Sequence, residues 1–158
     1  MTSARILALP EANAVLAQRR SVLRNRLLTD GALSNKDIAA LRGITESSAR
    51  TFVARERDRH RLFTVRHDGR TLVPQILLDI DGDLTAVTQA VETLAPLGLN
   101  GWELWSWLAS PSGWLSGDVP AEVFATDPER AMAAVRAYAA ELSSTELSAT
   151  ETTVTVGT

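Results

Sequence analysis

The chain reads as a mainly α-helical protein with one β-hairpin, and two observations predict that class. Apolar residues recur at helical spacing in several separate stretches, each bounded by capping residues or by Gly and Pro. A strand-like pattern surrounds one strong turn pair, Asp68-Gly69. Cysteine is absent, which excludes disulfides, thiolate zinc sites and cysteine nucleophiles.

At 158 residues, with 45% hydrophobic and 22% charged side chains, the chain suits one globular domain or two small ones sharing a modest core. No apolar run approaches a membrane span and no secretory signal is visible, so a cytoplasmic location is expected. Charge is unevenly distributed. Residues 1–70 hold 14 of the 16 basic side chains against 7 acids, while the remainder has 2 bases and 12 acids. A basic half joined to an acidic half that holds all four tryptophans points to two different partners.

The elements follow in order. Glu11 to Leu28 predicts an amphipathic helix with Pro10 at its start and Val15, Leu16, Val22, Leu23 and Leu27 inward. Its arginines, Arg19, Arg20, Arg24 and Arg26, suit either a solvated face or phosphate contact. Ser34 to Arg57 predicts two helices and a tight turn. Ser34 caps the first with Asp37 three residues on, Gly43 supplies the left-handed turn, and Thr45 caps the second. Ala39 permits close crossing, while Ala49, Phe52 and Val53 face inward.

Around Asp68-Gly69, the hairpin pairs Val65 with Leu72 and brings Phe63 near Pro74. It serves either as a brace or as a wing carrying Arg66 and Arg70. Asp79, Asp81 and Asp83 read as a turn and helix cap; no glutamate follows at calcium-loop spacing. A helix over Leu84–Ala95 is expected next, then one from Asn100 bearing Trp102, Trp105 and Trp107. Trp114-Leu115 reads as loop, Pro120 to Phe124 as a short helix, and Asp127-Pro128-Glu129 as the start of a final helix reaching about Leu142. The polar residues 143–158 read as a flexible tail.

The pair of helices at residues 34–57 resembles a DNA-binding helix-turn-helix, whose second helix enters the major groove. On that helix Glu46, Ser47, Arg50, Thr51 and Arg55 point outward. Arginine forks match guanine edges, and hydroxyls bond phosphates or bases.

Further on, Trp105-x-Trp107-Leu108, Pro111, Leu115-x-Gly117, Pro120-Ala-Glu-Val-Phe124 and Thr126-Asp127-Pro128-Glu129 occur in series before an alanine-rich helix. Residues 75–142 thereby resemble the Xre/MbcA/ParS-type toxin-binding domain of bacterial antitoxins. The resemblance implies an operon-repressing antitoxin that binds operator DNA, forms a homodimer and a hetero-oligomer with its toxin, and sterically blocks that toxin. The toxin is commonly a RES-domain enzyme that degrades NAD. It also implies toxin contacts from Trp114, Leu115, Asp118 and Glu122 and, on the final helix, from Arg130 and Arg136.

The expected organisation is then a helical DNA-binding domain over 1–61, a hairpin connection over 62–76, a small helical toxin-binding domain over 77–142 and the tail. No catalytic, metal or cofactor site is expected: His60 and His67 have no recognisable nucleophile partner, and phosphate-binding glycine loops are missing. The alternative is a DNA-binding regulator whose C-terminal domain dimerises or receives a different protein.

Overall fold

The computed structural model describes the backbone of residues 2–156 and the side chains of residues 12–29 and 31–145. Among the described residues, seven α-helices and a small sheet make up the fold, mainly α as the sequence predicts. The chain divides into two compact units, Met1–Ala32 and Leu33–Thr158. Helix-turn-helix, hairpin and downstream helices belong to one unit.

The first unit is helix α1 (Thr2–Asp30), which begins well before the expected Glu11 and contains Pro10 within it. A proline removes one backbone donor, but its fixed φ remains helical, so the residue does not by itself mark a helix start. The expected inward face is also corrected. Leu27 is buried and Leu23 half-buried, but Val15, Leu16 and Val22 are exposed, the last at 58%.

In the second unit, α2 (Asn35–Arg42) is held at its start by a reciprocal cap. The Asp37 N–H donates to Ser34 Oγ at 3.2 Å and the Ser34 N–H donates to Asp37 Oδ2 at 2.9 Å. Gly43, at φ +63°, ends it in the left-handed conformation with its N–H on the Ala39 carbonyl. Thr45 then caps α3 (Glu46–Asp58), accepting from the Ser48 N–H at 3.1 Å. Each such cap contributes about 1 kcal/mol. Ile38, Ala39, Ala49, Phe52 and Val53 are buried as the two helices pack.

Strands β2 (Val65–His67) and β3 (Arg70–Pro74) pair antiparallel, Val65 opposite Leu72, through a turn with positive φ at Asp68 and Gly69. With the two-residue β1 (Ala32–Leu33) the sheet order is β1-β3-β2. Phe63 lies before β2, outside the paired register.

Helix α4 (Val87–Leu94) starts three residues later than expected, because Leu84 forms an isolated bridge with Leu78. Asp79, not a helix cap, organises the preceding loop: its Oδ1 accepts from the N–H groups of Asp81 and Asp83, both at 2.9 Å. Helix α5 (Gly101–Ala109) is capped by Asn100, and α6 (Pro120–Thr126) packs against it. Helix α7 (Pro128–Val156) packs on α4, on α6 and on the turn Gly113–Leu115, with Ala131, Ala134 and Val135 buried.

Residues 143–156, expected as part of a flexible tail, continue α7, and residues 157–158 lie outside the described residues. Neither Gly nor Pro occurs between residues 129 and 156, and extending a formed helix costs far less than nucleating one.

Candidate functional site

Packing of α3 against α2 decides which of its side chains face outward. Since Ala49, Phe52 and Val53 point inward, Glu46, Ser47, Arg50, Thr51 and Arg55 are left on one exposed strip. All five residues expected to contact DNA are thus brought together. Arg50 Nη2 lies 3.8 Å from Glu46 Oε1, and Thr51 Oγ1 donates to the Ser47 carbonyl at 3.1 Å. The strip forms two shallow hollows, one lined by Ser47, Ser48, Thr51 and Arg55, the other by Arg50, Ala54, Asp58 and Arg59. At the hairpin tip, Arg66 and Arg70 are exposed as well.

Two residues that hold this surface were not evident in the sequence. Glu56, with a side chain only 6% exposed, gathers three arginines: Arg55 Nε at 3.6 Å, Arg59 Nη1 at 4.0 Å and Arg61 Nη1 at 3.7 Å. Its buried Oε2 accepts no hydrogen bond, so these ionic contacts are what offset its desolvation. Arg61 also reaches Glu92 of α4 at 3.6 Å, which ties the end of α3 to the helices beyond.

Arg42 is the second. Its guanidinium lies 3.9 Å from the Phe52 ring centroid, donates to the Gly82 carbonyl at 2.7 Å and stands 3.7 Å from Asp83. A methyl group on Gly82 would come within 2.5 Å of Arg42 Cγ, so the glycine permits this approach. Gly101 serves similarly at the start of α5, where any Cβ would overlap the Thr64 carbonyl oxygen.

The residues expected at a protein interface divide differently. Trp114 is 51% exposed, and Glu122 and Arg136 are exposed. Leu115 is corrected to a core position: it is 1% exposed in a turn that packs on α7. Asp118 and Arg130 bind each other, Nη1 to Oδ2 at 3.1 Å, while Arg130 Nη2 donates to the Leu115 carbonyl at 2.9 Å. This pair clamps residues 115–118 onto α7. Of the remaining tryptophans, Trp105 is buried, and half-buried Trp107 stacks on Tyr138 with centroids 5.6 Å apart and planes 10° from parallel. The Tyr138 phenol is held above its ordinary pKa by burial first, then by the negative fields of Glu103 and Glu141.

No family model matches the chain, and no curated protein matches it. Among solved structures it is similar to the NMR structure of Rv2175c, with a TM-score of 0.54 and 21% identity over 72% of this chain and 82% of that one. At that identity the likeness shows the fold alone. The class defined is therefore a mainly helical protein with a helix-turn-helix arrangement and a small hairpin. No helix among the described residues is long and apolar enough to cross a membrane.

Proposed function

We propose that the protein binds DNA through α3 and represses its own operon as an antitoxin, with the helices after residue 77 holding its toxin. One observation carries the DNA-binding part: the exposed strip Ser47, Arg50, Thr51 and Arg55 lies on the second helix of a capped, glycine-turned pair. A helix presented this way projects a hydroxyl and guanidinium face suited to base edges and phosphates. Arg59 and Arg61 extend the positive charge, and Arg66 and Arg70 place more at the hairpin tip.

The antitoxin part rests on the ordered resemblance from Trp105 to Glu129 and on exposed Trp114, an aromatic of the kind enriched in interface hot spots. Inhibition would be steric and requires no chemistry from this chain. A homodimer and a hetero-oligomer with the toxin belong to the same proposal, as does a cytoplasmic location.

Two experiments test it. Gel-shift titration on the protein's own upstream region should show binding that weakens steeply with salt and that falls on Arg50→Ala; a flat salt response would count against it. Co-expression should show the adjacent gene's product toxic alone, and neutralised by and co-purifying with this chain. A harmless neighbour sinks the antitoxin reading.

A further inference from the structure

Helices α5 and α7, with the Gly113–Leu115 turn, line a groove of about 570 Å³. Trp107, Trp114 and Tyr138 supply its aromatic surface, and Glu103 and Glu141 its charge. Among the described residues neither carboxylate forms an ion pair; the side chain of Glu103 accepts only from Asn100 Nδ2, at 2.9 Å. After burial, both carboxylates also raise the pKa of the Tyr138 phenol, which lines the same groove.

The chemistry selects among occupants. Anions, including nucleic acid, meet two carboxylates and the negative faces of the rings. An apolar side chain would desolvate the carboxylates without compensating them. A cation meets both features favourably. Of the two common cations, a guanidinium is planar, weakly hydrated and able to stack on an indole while its edges donate to carboxylates. An ammonium does this less well because it keeps its hydration.

We propose that this groove takes an arginine side chain of a protein partner, the guanidinium lying against the aromatic surface between Glu103 and Glu141. The inference rests on the reading that the C-terminal helices receive a protein, but it concerns the chemistry of the groove and not the partner's identity.

The test uses the full chain and the peptide acetyl-Ala-Arg-Ala-amide, followed through the four tryptophan indole N–H resonances. The Trp107 and Trp114 signals should shift saturably, while that of buried Trp105 stays in place. Replacing arginine by citrulline, which has the same shape without the charge, should abolish the shifts. The lysine peptide should bind more weakly, and Trp114→Ala and Glu141→Gln should each weaken arginine binding about fivefold. Both substitutions are at exposed positions, so folding is retained.

Equal shifts with citrulline, or no shift with arginine, would overturn the proposal. Indole shifts that depend on protein concentration without peptide would place a second copy of this chain in the groove, which also overturns it. Peptide capture combined with a harmless neighbouring gene product would remove the antitoxin reading and leave the groove's specificity standing.

Discussion

The exposed face of α3 and the groove between α5 and α7 are built by opposite means. The first draws its side chains from one helix, at positions 46, 47, 50, 51 and 55, where a single packing decision turns all of them outward. The second draws Glu103, Trp107, Trp114, Tyr138 and Glu141 from three elements, and exists only once α5, α7 and the intervening turn have packed. Their charges are opposite as well. Both rest on a packed core, so exposed residues of either can be changed with little effect on the fold, whereas their buried neighbours cannot.

The sharpest test of that contrast lies within the tryptophans. Trp105→Ala should cost about 3–5 kcal/mol, since its side chain is buried and truncation leaves a cavity. Trp114→Ala should stay within about 0.5 kcal/mol of the parent in urea denaturation. Equal losses would make Trp114 a packing residue and dissolve the distinction between core and groove.

Arg42 tests what supports the other surface. Arg42→Ala removes the bond to the Gly82 carbonyl, the pairing with Asp83 and the contact on Phe52, and should destabilise by about 1–2 kcal/mol. Operator affinity should fall along with it when measured near the unfolding midpoint, and recover under strongly native conditions. A stability loss below about 0.3 kcal/mol would show that the arginine is merely lodged there.

Arg50→Ala should act in the reverse manner, with unchanged stability and operator affinity reduced about tenfold. Glu46→Gln should strengthen binding slightly, because the carboxylate 3.8 Å from Arg50 competes with DNA for the guanidinium. Neither change should affect the arginine peptide in the groove. If Arg50→Ala leaves both affinity and its salt dependence intact, α3 does not read DNA through this strip.

What the sequence made legible was local. Ser34 with Asp37, Gly43, Thr45, Asp68-Gly69, Asn100 and Asp127-Pro128 each act within a few residues, and the elements they bound were found where expected. Because the inward residues of α3 fix its outward ones, all five of its expected DNA contacts came out exposed. Long-range pairing was not legible. Arg42 and Gly82 are forty residues apart, and nothing in either stretch announces the other. Glu56 carries no local signal, being one more acid on a charged helix, although burial makes it the anchor for three arginines. Leu115 and its neighbour Trp114 read alike in sequence, yet the turn that exposes one buries the other. The end of α7 is not legible in composition, because polar residues do not stop a helix that no Gly or Pro interrupts.

The smallest expected effect is on the groove's own titration, where the chain's single tyrosine gives a clean signal. The Tyr138 phenol is raised by burial first, Glu103 second and Glu141 third. A folded pKa above the unfolded value means that this group's contribution to stability is complete below about pH 10 and is lost as pH rises through the folded value. Phenolate absorbance should therefore develop at higher pH in the folded protein than in urea. Glu103→Gln should lower the folded midpoint more than Glu141→Gln, with both variants still above the unfolded value because burial persists. A bound arginine peptide should lower it too, since a cation between the carboxylates offsets their field at the ring. Identical midpoints in all three proteins would mean that the carboxylates do not act on the ring, and the charge argument for the groove would fail with them.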